Sequence, residues 1–108
     1  MDQAQLLARY TEAWEMSRQM LEAARSENWD ELLNLDQARD QLFTGLMQAP
    51  LVAPENLQLA DETAVLIRSI LAADQQILSL SQDWMEEING VLTSVTVEKK
   101  LLKAYDPV

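Results

Sequence analysis

The chain has 108 residues, of which 48% are hydrophobic, with only two glycines and three prolines; this is too apolar for a disordered tail and sized for one domain with a modest core. Eighteen acidic against eight basic residues give a net charge of −10, which repels a phosphate backbone and argues against direct nucleic-acid binding. With no histidine and no cysteine, the usual general base, the catalytic triads and the imidazole or thiolate metal sites are all missing, so neither an enzyme nor a cofactor is expected.

Helix formers (Leu, Ala, Gln, Glu and Met) dominate, which predicts an all-α protein: a single domain over 1–108 built as an antiparallel bundle of three main helices. The first is expected over about 2–25. Leu6, Leu7, Tyr10, Ala13, Trp14, Ser17, Met20, Leu21 and Ala24 recur at steps of three and four and make one apolar stripe. Ser26-Glu27-Asn28 breaks it, and Asn28 followed by Glu31 has the spacing of a capping box.

The second helix is expected over about 29–48, with Trp29, Leu32, Leu35, Leu42, Phe43 and Leu46 inward. Asp36 and Arg39, three apart beside that stripe, read as a structural ion pair at a helix crossing. A connection with Pro50 and Pro54 follows, and Pro54 suits the first turn of the next helix, where a missing N–H costs nothing.

The third helix, about 55–89, is the longest. Its apolar positions run from Leu59 through Ile67, Ile70, Ile77, Trp84 and Ile88, and its reach of roughly 50 Å exceeds what the shorter helices can cover. Asn89-Gly90 is the only sequence able to halt it. Periodicity resumes through Val91, Val95 and Leu101 to Tyr105, so two continuations stay open: a straight extension, or a turn and a short fourth helix over about 92–105. Charge is unevenly spread here. Residues 69–97 contain four acids and no base, a net −4, whereas Glu98, Lys99, Lys100 and Lys103 make the segment after it +2.

No apolar run approaches the ~18 residues of a membrane span and the N-terminus lacks a basic leader, so no membrane insertion and a cytoplasmic location are expected. What remains is a binding module. Ile77, Leu78, Trp84, Met85 and Ile88 lie where the shorter helices run out, and they are expected to form or border a surface that accepts an amphipathic helix.

Two stretches carry a family resemblance. Asn28-Trp29-Asp30-Glu31-Leu32-Leu33 resembles the tryptophan-plus-leucine motif that opens the second helix of FliT-type flagellar export chaperones. Glu98-Lys99-Lys100-Leu101-Leu102-Lys103-Ala104-Tyr105 resembles that family's basic segment ending in Ala-Tyr. The resemblance implies a chaperone that binds the C-terminal helical region of the filament-cap protein FliD, prevents its premature assembly and delivers it to the type III export apparatus. It further implies contacts with the export ATPase and FliJ and, in some relatives, repression of flagellar genes through FlhC. A tail of Lys99, Lys100, Leu101, Leu102, Lys103 and Tyr105 that folds back and occludes the binding surface is also implied. The sequence given continues only three residues beyond Tyr105, and in this it departs from the better-known members at the place where the autoinhibitory segment is read. Two other readings stand beside this one: a chaperone for another flagellar substrate, such as a hook-filament junction protein, and a helical module that makes a homodimer.

Overall fold

A computed structural model describes the backbone of residues 1–50 and 52–105 and the side chains of residues 1–50 and 52–90. Three helices account for most of it: α1 Gln3–Arg25, α2 Trp29–Gln48 and α3 Leu57–Tyr105. The expected all-α architecture is the one observed, and among the described residues there is no strand.

The ends of the helices follow from local chemistry. Asp2 caps α1 through a reciprocal box: its Oδ1 accepts from the Gln5 N–H at 2.8 Å while Gln5 Oε1 accepts from the Asp2 N–H at 3.0 Å. The other end of α1 closes in a Schellman turn. The Asn28 N–H donates to the Ala23 carbonyl at 2.8 Å and the Glu27 N–H to Ala24 at 3.2 Å, with Glu27 in the left-handed region at φ 57°. This turn alters the capping box expected at Asn28. Asn28 Oδ1 does accept from the Glu31 N–H, at 3.4 Å, but the Asn28 N–H is already committed to Ala23, so the box is only half formed.

Pro54 lies in the connection rather than in the first turn of α3. Asn56 caps that helix instead, accepting from the Leu59 N–H at 3.2 Å. Gln3 and Asn56 clamp the starts of α1 and α3 together. The Asn56 N–H donates to Gln3 Oε1 at 2.7 Å, and Gln3 Nε2 donates to the Asn56 carbonyl at 3.1 Å. At the opposite end Arg25 donates to Gln76 at 3.2 Å, so α1 and α3 run parallel and α2 returns antiparallel between their ends.

Residue size decides how closely the helices approach. The buried face of α1 is small at Ala13, Ser17, Ala23 and Ala24, with Met20 as its one large buried side chain. Small residues at a crossing let backbones come together, and α1 accordingly packs against both neighbours. By contrast, α2 and α3 face each other with Trp29, Leu32 and Arg39 on one side and Asp74, Ile77 and Trp84 on the other. Among the described residues no Cα of α2 comes within 8 Å of a Cα of α3. The two are joined only through side chains.

The chain does not turn at Gly90. α3 continues as one helix to Tyr105, and the straight extension is the continuation adopted. Its 49 residues are about 73 Å long at 1.5 Å per residue, which gives the molecule its extents of 79 × 21 × 18 Å. A glycine costs only about 1 kcal/mol in a helix interior, and the apolar periodicity on both sides of Gly90 favours continuing.

Candidate functional site: a groove between the second and third helices

The separation of α2 from α3 leaves a cleft of about 290 Å³ above α1. Met20 of α1 is its floor. Leu32, Leu33, Asp36 and Arg39 line it from α2, and Asp74, Ile77, Leu78 and Ser81 line it from α3. A second depression shares Leu78 and Ser81 and continues along α3 past Gln82, Met85, Glu86 and Asn89. From Asp74 to Asn89 the combined groove follows α3 for about 22 Å, or four helical turns.

Two side-chain bridges span the groove. At one end Arg39, whose side chain is only 10% exposed, joins all three helices: Nη1 donates to Ser17 Oγ at 2.8 Å and to Asp74 Oδ1 at 2.6 Å. Ser17 Oγ in turn donates to the Ala13 carbonyl at 2.8 Å, and the Arg39 guanidinium lies 5.4 Å from the Phe43 ring centroid. Ten residues further along α3, where α2 begins, Trp29 and Trp84 stack in a tilted pair with centroids 5.0 Å apart.

The Arg39 clasp revises the expected Asp36–Arg39 pair. Those two approach only to 3.9 Å, with Asp36 48% exposed, whereas Asp74, thirty-five residues further along, takes the short contact. A charge pair between α2 and α3 carries no local spacing signal, and this is why i, i+3 reasoning chose the weaker partner.

The five candidate docking residues divide by depth. Ile77 is 9% exposed and belongs to the core cluster with Met20, Ala23, Ala24 and Leu32, forming the inner wall of the groove. Trp84 is half-buried against Trp29, and Ile88 is half-buried one turn on. Leu78 and Met85 are the outward pair, each 52% exposed. Two residues join them that sequence reasoning passed over: Leu33, 59% exposed on the opposite wall, and Leu71, 58% exposed on α3. Signals for both existed. Leu32 and Leu33 are adjacent, about 100° apart around α2, so only one can face inward. Leu71, Leu78 and Met85 are seven apart, which aligns them in a single stripe beside the core face.

The tail candidates Lys99, Lys100, Leu101, Leu102, Lys103 and Tyr105 have side chains outside the described residues. Their backbone continues α3 straight, so in this structure the segment does not fold back over the groove.

The sequence pattern of the family described as flagellar protein FliT matches residues 7–107. This chain belongs to the FliT family. Relatives named flagellar protein FliT include one from Enterobacter sp. (strain 638), 26% identical over 90 residues, or 83% of this chain and 74% of the relative. One from Citrobacter koseri aligns with the same identity and coverage. A third, from Photorhabdus laumondii subsp. laumondii, is 23% identical over 100 residues, covering 93% of this chain and 80% of the relative. No solved structure gives a significant match. The FliT match takes in all of α1 from Leu7, the Asn28–Leu33 segment and the continuation of α3, so the groove lies within the family region. At these identities most positions differ between FliT members, and the roles of individual side chains are therefore argued from this chain's own geometry.

Among the described residues no helix is long and apolar enough to cross a membrane.

Proposed function

We propose that this FliT-family protein is a flagellar export chaperone. In this reading it receives the C-terminal helical region of the filament-cap protein FliD in the groove between α2 and α3, prevents early assembly and presents the cargo to the type III export apparatus. The observation that carries the reading is the groove itself, which is apolar at its base, open along α3 for four turns and uncovered by any described element. Such a surface suits an amphipathic helix with anchors at i, i+3, i+4 and i+7.

Magnitudes indicate how much an occupant must contribute. Leu33, Leu78 and Met85 line the groove and are each about half exposed, so covering each yields about 1 kcal/mol, or about 3 kcal/mol together. A micromolar complex needs about 8 kcal/mol. The exposed stripe is therefore insufficient alone, and the cargo must also fill the cleft down to Met20 and Ile77.

The segment 98–105 is the candidate regulator. Held away along α3, it leaves the groove open, which is the arrangement a cargo-ready chaperone requires. Contacts with the export ATPase, FliJ and, in regulating relatives, FlhC belong to the same reading and are tested by pull-down of each purified partner with the full chain.

The test is calorimetric titration of the full chain with the purified FliD C-terminal region. Leu78→Asp combined with Met85→Asp replaces two exposed side chains, so the helical fold is expected to survive while binding falls at least tenfold. Ile77→Asp is the wrong probe, because it buries a charge in the core and unfolds the protein. Wild-type affinity in a folded Leu78→Asp/Met85→Asp protein would place the cargo elsewhere. Light scattering that shows a constant dimer indifferent to FliD would favour a self-assembly module.

A further inference from the structure

The groove is apolar at its base and acidic at its rim, and that rim specifies what can lie in it. Asp36 and Asp74 stand at one end and Glu86 at the other, against a single guanidinium, that of Arg39. Arg39 is already taken by Asp74 at 2.6 Å and is nearly buried. Asp36, half exposed and 3.9 Å from Nη2, is too far for a good hydrogen bond and keeps most of its charge for a visitor. No Lys or Arg occurs anywhere in 69–97, so α3 offers no local counter-charge to Glu86.

We propose, building on the cargo-groove reading above, that the occupant is an amphipathic helix with basic side chains at both ends of its apolar stripe, about eleven residues apart. One base is set between Asp36 and Asp74 and the other against Glu86. The spacing follows from the wall: Asp74 and Glu86 are twelve residues apart on α3, about 18 Å along its axis and about 120° around it, and three turns of a facing helix return a side chain to the same face after eleven residues, from where the second base reaches sideways to Glu86. An acidic anchor does not fit, because a carboxylate seeking Arg39 would meet Asp36 and Asp74 first. Nor does the same α3 face of a second copy, which would bring acids against acids. Apolar filling provides the hold, and the two charges fix register and discriminate between cargo helices.

The experiment uses the full chain and three blocked synthetic helices of about fifteen residues that share one leucine stripe. The first carries lysines at its second and thirteenth positions beside the stripe, the second carries glutamates there, and the third has the lysines moved to the opposite face. Titration at low salt is expected to show the first binding about tenfold tighter than either other peptide, with the gap closing in ~0.5 M salt. In Asp36→Asn/Glu86→Gln, two exposed isosteric changes checked by circular dichroism, the preference is expected to disappear. Equal binding of the three peptides, a preference for glutamate, a preference unchanged in the variant, or self-association that excludes every peptide would each overturn the proposal. The FliD region titrated in parallel separates the two readings. If it fails to bind while lysine selectivity holds, the cargo assignment falls and the charge rule stands; if it binds the variant as tightly as the wild type, the charge rule falls.

Discussion

Cutting the Arg39 clasp from the Asp74 side gives a prediction that geometry alone can size. Asp74→Ala leaves a guanidinium that is 10% exposed with Ser17 Oγ and a carboxylate at 3.9 Å as its remaining partners. Removing one member of a fully buried ion pair costs about 3–5 kcal/mol, and losing a hydrogen bond to a charged group about 1.5–3 kcal/mol. Asp74 is itself 36% exposed, so water recovers part of the loss, and about 2 kcal/mol is expected. With a urea slope of about 1.5 kcal/mol/M, in the usual range for a small protein, the unfolding midpoint falls by roughly 1.3 M. Arg39→Met is expected to cost less, about 1 kcal/mol, because the stranded Asp74 can hydrate while the methionine keeps the packing of the arginine stem. Arg39→Met/Asp74→Ala should cost about 1 kcal/mol, against about 3 kcal/mol if the two single losses added, which gives a coupling near 2 kcal/mol in the double-mutant cycle. Asp36→Asn, the partner suggested by local spacing, should change stability by less than about 0.5 kcal/mol. A cycle that closes additively, or an Asp36→Asn protein as unstable as Asp74→Ala, would refute this account of the clasp.

Three other outcomes are expected. Glu27→Gly relieves a left-handed residue at the Schellman turn, φ 57°, and should raise the urea midpoint by an amount equivalent to about 1 kcal/mol. Gly90→Ala places a methyl where nothing lies within 4 Å in an uninterrupted helix, so helicity by circular dichroism should rise and stability should not fall; a loss would mean that the chain turns there. Trp29→Ala removes the Trp84 stack and packing against the core cluster, costing about 3 kcal/mol by thermal or urea unfolding, whereas Trp29→Phe keeps most of the area and discards a buried indole N–H that has no partner among the described residues, so its cost should be under about 1 kcal/mol.

The three helices, the two breaks between them and the inner stripe of each were legible from the residues alone. The reason is that periodicity, capping residues and the Pro50–Pro54 connection act within a few residues of where they are read. Composition also supplied the missing chemistry, since a chain without histidine or cysteine lacks those groups in any fold. The surplus apolar stretch containing Ile77, Leu78, Trp84, Met85 and Ile88 was legible because the third helix was plainly longer than its neighbours, but the sorting of Leu78 and Met85 outward and Ile77 into the core came with the structure. Quantities shared between distant segments emerged only once the helices packed. Small residues on α1 draw it against both neighbours while bulky ones hold α2 and α3 apart, and the groove exists because of that inequality of packing. Arg39 chose Asp74 over Asp36 because a better-placed partner arrived from outside the local window, whereas the Asn28 N–H went to Ala23 through the local Schellman turn that closes α1. At Gly90 two local signals were nearly balanced, and the uninterrupted helix is what opens the groove along its full length.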